Sequence, residues 1–269
     1  MVSSESVIAR ELNVPLTGLP SGLDGLRMAH VSDLHFRRWD RASEAAQTLL
    51  TDLDYDLLLV TGDFCSFRWK WRQAAELTQR FLGRIAQRPA YAVLGNHDDP
   101  RLADADLPLR FLRNESVSLD SLGAGLTLAG VDQSGRRTED LDAALRRGPA
   151  SGPTILLAHY PSTVFRVPIG KVQLVLSGHT HGGQIRLPGL GCVWANDRIP
   201  RRMSRGLHEV AGTMIHVSPG IGVCLPIRIR VNCPAEVTVL TLVAVASDHE
   251  AVGSVSTDKE DQLVSGTFV

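Results

Sequence analysis

The side chains best suited to holding a metal ion fall in five short blocks: Asp33 with His35, Asp63, Asn96 beside His97, His159, and His179 with His181. Two aspartates brought into one partly dry site repel each other at a cost of several kcal/mol, unless a cation neutralises them or one stays protonated. Carboxylate, amide and imidazole donors without a thiolate suit Mn, Fe, Co or Zn better than Ca or Mg. The set is also too large for one tetrahedral ion. Two ions about 3.5–4 Å apart, sharing a carboxylate and a water, would use it fully.

Short β-rich runs must position these groups. They span Leu26 to Val31, Asp56 to Val60, Ala90 to Leu94, Leu126 to Val131, Thr154 to Ala158, Gln173 to Leu176, Thr213 to Val217 and Glu236 to Leu242. Each donor block directly follows one of them, and ligand sites in α/β sheets lie beyond the carboxyl ends of the strands. Gly62, Gly95 and Gly178 each precede a donor, where the backbone must turn close to the site. Helical spacing appears from Ser43 to Leu53 behind a cap at Asp40 or Ser43, from Trp71 to Ile85, and from Glu139 to Arg147. Strand and helix alternate in the first half, and strands with Gly and Pro turns dominate the second. This pattern predicts a layered α/β protein with two packed sheets and helices outside.

The blocks Ser32-Asp33-Leu34-His35, Gly62-Asp63, Gly95-Asn96-His97-Asp98, Ala158-His159 and Gly178-His179-Thr180-His181, in that order, resemble the calcineurin-like metallophosphoesterase superfamily. The likeness spans residue 26 to about 245 and departs at Phe64-Cys65-Ser66, where many members carry a further acidic or basic residue. The resemblance implies a four-layer αββα sandwich of two mixed sheets packed face to face, with a dinuclear centre at the sheet edge. It implies that Asp33, His35 and His181 hold one divalent ion and Asn96, His159 and His179 the other, with Asp63 bridging. Mn is the favoured metal, with Fe, Zn or Co as the other choices. His97 would not ligate. It would sit over the substrate, donating to a phosphoryl oxygen or protonating the leaving group, while a metal-bridging hydroxide attacks phosphorus.

The implied activity is hydrolysis of phosphodiester or pyrophosphate bonds. The alternatives are a cyclic-nucleotide phosphodiesterase or a nuclease, and then a non-catalytic scaffold, whose members lose ligands that are all present here. The stretches Gly178-His179-Thr180-His181-Gly182-Gly183-Gln184-Ile185-Arg186-Leu187-Pro188, Ser218-Pro219-Gly220 through Leu225-Pro226-Ile227-Arg228, and Cys233-Pro234-Ala235-Glu236 are similar to a branch containing bacterial phosphodiesterases and UDP-2,3-diacylglucosamine pyrophosphatases. That likeness points to a small-molecule, nucleotide-linked or lipid-linked phosphoester as the partner.

Composition narrows the classes further. A chain of 269 residues with 43% hydrophobic content builds a full core without disulfides, and residues 1–246 read as one domain. From 247 to 269 the chain turns polar and is expected to be a disordered tail. Lys plus Arg is 28 against 29 acidic residues, which argues against a protein that grips duplex nucleic acid by bulk charge. No apolar run approaches the roughly 20 residues of a membrane-spanning helix, and Glu5, Arg10 and Glu11 interrupt any secretory signal. The expectation is a cytoplasmic protein, with room for peripheral contact at the inner face of a membrane. Four cysteines without a C-x-x-C pair read as reduced thiols, with Cys65 an apolar filler near the site. Asp98 and Asp99 read as acids opening a helix, with orientation of His97 as the other reading. His30, His208, His216 and His249 read as structural or surface residues. Arg68-Trp69-Lys70-Trp71-Arg72 reads as a helix start, with Trp71 on the apolar face and Trp69 off it, and contact with a lipid headgroup or phosphorylated substrate as the other reading. The arginines at 198, 201, 202 and 205 read as a solvated loop, with binding of substrate phosphates as the other reading.

Overall fold

The computed structural model describes residues 7–85, 88–122, 125–146, 152–224 and 229–245; the segment 247–269, with His249, and the stretch 225–228 lie outside the described residues. The first half runs β1 (Val7–Thr17), β2 (Arg27–Val31), α1 (Arg41–Asp52), β3 (Leu57–Thr61), α2 (Trp71–Leu82), β4 (Ala90–Val93), β5 (Arg110–Phe111), β6 (Glu115–Ser118) and β7 (Thr127–Gly130). It is followed by α3 (Leu141–Leu145), β8 (Thr154–Leu157), β9 (Leu174–Ser177), β10 (Arg186–Leu187), β11 (Gly191–Cys192), β12 (Gly206–Val210), β13 (Thr213–Val217) and β14 (Ala235–Val245).

These strands form two six-stranded sheets, in the orders β1-β14-β2-β3-β4-β5 and β12-β13-β9-β8-β7-β6, with β10 and β11 as a separate hairpin. In the first sheet β2 to β5 run parallel and β14 lies antiparallel to β2. In the second, β13, β9, β8 and β7 run parallel between antiparallel edges. Both sheets are therefore mixed. Parallel strands covered on both faces read as unbroken apolar runs, as the Leu57-Leu58-Leu59-Val60 run of β3 does.

The period of two divides that run between two cores. Leu57 and Leu59 meet Met28, Leu157 and Leu176 between the sheets, whereas Leu58 and Val60 pack with Ala46, Leu50 and Phe81 of the first two helices. The outer face of the second sheet, with Leu156, Val175 and Ile215, packs under Ala144 of α3 and under Val164 and Met203 from two short 3₁₀ segments. The result is the expected αββα layering, with a thin outer layer on the second sheet. Asp40 caps α1, accepting from the Ser43 amide at 2.9 Å, and Asp140 caps α3, accepting from the Ala143 amide at 2.8 Å.

Sequence patterning does not foresee β1, which pairs in parallel with β14 along all eleven residues. Pro15 interrupts its pattern, but β1 is an edge strand and has only one neighbour to bond. Val14 and Leu16 enter the inter-sheet core, and Arg10 reaches the buried carboxylate of Glu236 at 2.9 Å.

A second feature joins the sheets. His30 of β2 and His216 of β13 are fully buried, with Nδ1 atoms 2.8 Å apart, while His30 Nε2 lies 2.9 Å from Thr61 Oγ1. One ring must donate and the other accept, which keeps the pair neutral. Burial pushes both below the ordinary histidine value, His216 to about 3. Below pH 6.5 the unfolded chain binds protons that the folded chain refuses. The stability present above that pH is therefore lost as pH falls toward 3, by about 1.4 kcal/mol per pH unit for each histidine. His216→Gln is expected to flatten the acid limb of the urea-unfolding midpoint between pH 6.5 and 4; an unchanged slope would refute this account.

Candidate metal centre

The donor blocks sit where five strands end: Asp33 after β2, Asp63 after β3, Asn96 after β4, His159 after β8 and His179 after β9. The structure brings them together in two groups of mutually close donor atoms, Asp33 with His35 and His181, and Asp63 with His159 and His179. Asp63 Oδ2 lies 3.2 Å from His159 Nε2 and 3.6 Å from His35 Nε2, between the groups. Asn96 Oδ1 lies 3.2 Å from His159 Nε2. His97 stands to one side, its ring 5.1 Å from that of His35 and its amide donating to Asp63 Oδ1 at 2.8 Å.

Hydrogen bonds on the far side of the rings fix which nitrogens face inward. His35 Nδ1 lies 3.1 Å from the Cys65 carbonyl and His159 Nδ1 2.7 Å from the Thr61 carbonyl. A carbonyl only accepts, so these nitrogens donate and Nε2 keeps its lone pair for the centre. His179 does the reverse, donating from Nε2 to the Asn196 carbonyl at 2.6 Å and leaving Nδ1 inward. His35 and His181 then point Nε2 atoms at each other across 3.1 Å. One ring of that pair can donate to the other, so it is the carboxylates of Asp33 and Asp63, gathered among these nitrogens, that call for positive charge, and the donor set fits divalent cations.

The electrostatics carry the same demand. Burial opposes a charge on His159, but the carboxylate of Asp63, by charge and hydrogen bond, overrides it and pushes the imidazole up to about 10. Burial likewise works against Asp63, yet His159 and His35 hold it well below the usual carboxylate range. Burial raises Asp33 to about 6 and lowers His35 to about 4, His179 to about 3 and His181 well below its ordinary value.

The backbone is bent to this purpose. Asp33, His35, Asp63, His179 and His181 all have φ between 46° and 68°, and they are half of the ten non-glycine residues in that left-handed region among the described residues. Each such residue costs on the order of 1–3 kcal/mol. Gly95 and Gly178 let segments pass against the carboxylates: a Cβ on Gly95 would fall 2.7 Å from the Asp63 amide nitrogen, and one on Gly178 would strike Asp33 and lie 2.8 Å from Ser32 Cβ.

Two buried residues hold these loops. Asp98, beyond an acid that merely opens a turn, accepts from the amides of Gly95 at 2.9 Å and Cys65 at 2.8 Å, tying two donor loops together. Asp99 is the capping acid, accepting from the Arg101 amide at 3.0 Å. The Arg230 guanidinium, 5% exposed, donates to the carbonyls of Pro219 at 2.8 Å, Gly220 at 3.1 Å and Gly222. That loop in turn bonds Ser32 and Asp33 through the amides of Ile221 and Gly222. Nothing near Arg230 in sequence announces this role; Asp98 is signalled only by its place beside His97. Cys65 is buried in the core, as expected of an apolar filler. Trp71 packs partly into the helix core, while Trp69 is 74% exposed.

Comparison with known proteins follows the same lines. The profile of the calcineurin-like phosphoesterase family matches residues 26–183. An uncharacterized metallophosphoesterase of Aquifex aeolicus (strain VF5) is 32% identical over 241 residues, covering 83% of this chain and 87% of that one. Phosphodiesterase YaeI of Escherichia coli (strain K12) is 28% identical over 235 residues, covering 81% and 82%. A transmembrane protein with metallophosphoesterase domain from Bos taurus is 29% identical over 259 residues, 87% of this chain. The match spans only 56% of that bovine protein. The crystal structure of TT1561 of Thermus thermophilus overlaps with a TM-score of 0.46 at 16% identity, over 73% of this chain and 90% of that one. The chain belongs to the calcineurin-like phosphoesterase family, a class of metal-dependent phosphoester hydrolases. Among the described residues no helix is long and apolar enough to cross a membrane.

Asp98→Ala leaves two amides at the donor loops without their acceptor. Loss of such an outer partner is expected to weaken Mn binding by about 10–100-fold, read by calorimetric titration, while unfolding stays cooperative. Affinity equal to that of the parent chain would show that Asp98 does not hold the site.

Proposed function

We propose that the chain hydrolyses phosphodiester or pyrophosphate bonds with two divalent cations, Mn being the favoured metal. The observation that carries this reading is the convergence of imidazole nitrogens from His35, His159 and His181 on Asp33 and Asp63, with the outward nitrogens of His35 and His159 locked to carbonyls. Asp33, His35 and His181 would hold one ion, Asn96, His159 and His179 the other, and Asp63 both. When bound, the cations supply Lewis acidity that activates water and neutralises charge developing on phosphorus.

The rest falls to the chain itself. Buried walls keep bulk water from Asp33, His35, Asp63, His159 and His181 and strengthen the charge interactions among them, while Asn96, His97 and His179 are partly exposed. Asp63, anchored through the His97 amide and His159, keeps both groups of donors in register. His97 lines a cavity of about 280 Å³ together with His35, Asn96, Phe67 and Trp69. A phosphoester seated there meets the His97 imidazole, which donates to a phosphoryl oxygen or to the leaving group. The Phe67 and Trp69 rings, stacked 4.8 Å apart, offer a flat apolar wall to that group.

Asp63→Asn and His179→Ala are each expected to abolish turnover of an aryl phosphodiester in added Mn. His97→Ala is expected to lower kcat by about 10²–10⁴-fold while metal content, read by elemental analysis, stays at the parental level. Undiminished turnover in either metal-site variant, or loss of metal in His97→Ala, would refute the assigned roles. An aryl phosphomonoester run in parallel separates diester from monoester chemistry.

A further inference from the structure

Beside the metal centre lies a larger cavity of about 460 Å³ whose wall carries Arg37, Arg38, Arg41 and Lys70. It shares His35 and Val223 with the cavity that His97 lines, so the two adjoin at a residue of the donor cluster. Three chain segments build it: the turn leaving His35 for α1, the 3₁₀ turn Arg68–Lys70, and the loop Ile221 to Val223. Through the Gly222 amide, which donates to the Asp33 carbonyl at 2.7 Å, the last of these is fixed to the centre itself.

The charge on this wall is one-sided. Asp40 is the one carboxylate among the lining residues, and its Oδ1 is already engaged by the amide and the hydroxyl of Ser43, at 2.9 and 2.7 Å. Among the described residues no carboxylate forms an ion pair with Arg37, Arg38 or Lys70. The Arg37 guanidinium is held 5.8 Å over the Phe67 ring, which also stacks with Trp69. The positive end of α1, whose first residue is Arg41, adds to the same sign. Cations gathered at one concavity repel one another and raise the local concentration of anions.

Resting on the hydrolase reading above, we propose that this cavity holds a second phosphate of the substrate, next to the one cleaved at the metal centre. The substrate class is then a phosphoanhydride, or a diester carrying a further phosphate, rather than a diester with a single negative charge. Arg37 and Arg38 are specificity-determining residues on this assignment, and the Phe67–Trp69 wall takes the uncharged part of the leaving group. Guanidinium suits the role because its fork meets two phosphate oxygens at once.

The test uses the full chain loaded with Mn. The substrates are ADP-ribose, with two phosphates, and bis(p-nitrophenyl) phosphate, with one; binding is read separately by calorimetric titration with α,β-methylene-ADP, which resists cleavage. The parent chain is expected to prefer ADP-ribose by kcat/KM, with a KM that rises with salt. In the double variant Arg37→Ser, Arg38→Ser the preference is expected to fall by about tenfold or more, and the Kd for α,β-methylene-ADP to rise by a similar factor. Arg38→Lys, which keeps the charge but not the fork, is expected to lose less of both than the double variant does. An unchanged preference and Kd in the double variant, with the diester still cleaved by the parent, would overturn the subsite and leave the hydrolase reading intact. If the parent cleaves neither substrate but its Kd depends on Arg37 and Arg38, the hydrolase reading falls and the anion site stands.

Discussion

Two buried carboxylates, Asp33 and Asp63, at 0% and 1% exposure, set the terms for the rest of the molecule. Negative charge so far from water is tolerated only where positive charge is supplied. Much of the surrounding structure serves that need. Imidazoles are aimed inward by carbonyls behind them, and amides of His97 and His179 are directed at carboxylate oxygens, the latter at 3.1 Å from Asp33 Oδ2. The same requirement makes the centre a place for divalent cations and, through them, for phosphate oxygens.

Holding so many acceptors together strains the chain locally, and the strain is borne by the sheets. Five donor residues adopt left-handed backbone, yet each follows a strand, or a neighbouring donor, whose own hydrogen bonds lie deep between packed layers. The ladders cannot shift register without moving an apolar side chain to the wrong face. Asp98 and Arg230 extend that rigidity into the loops by bonding backbone groups that no strand satisfies. A loop site built in this way keeps its geometry because its supports are ladder bonds and buried charge-assisted bonds.

How much of this is legible in the sequence follows from the range over which each interaction acts. The donor blocks are readable because each sits beside a glycine or just past an apolar run, and the sheet brings all of them to one edge. The inner strands are readable because burial on both faces leaves continuous aliphatic runs, as in β3 and β8. The edge strand β1 is not, since Arg10, Glu11 and Pro15 break its pattern and only its partner β14 gives it a place. Asp98 is half legible, through its neighbours. Arg230 is opaque, because the carbonyls it holds, on Pro219, Gly220 and Gly222, are backbone groups that carry no residue-type signal, although they precede it by only 8 to 11 positions. The cluster of Arg37, Arg38, Arg41 and Lys70 is equally invisible in an almost neutral composition, since Lys70 joins the others only through the turn after β3.

The position of β14 has a consequence for how the chain is made. It lies between β1 and β2, so two strands from the first 31 residues must wait for one that begins at Ala235. A ribosome adding about 5–20 residues per second would leave β2 with an open edge for roughly 10–40 seconds. The second sheet has no such dependence, as all its strands lie between residues 115 and 217, and it is free to assemble first. Synthesis thus leaves an aliphatic sheet margin open until late and completes the β1–β14–β2 side of the first sheet last, a schedule that favours protection of the nascent chain until β14 arrives.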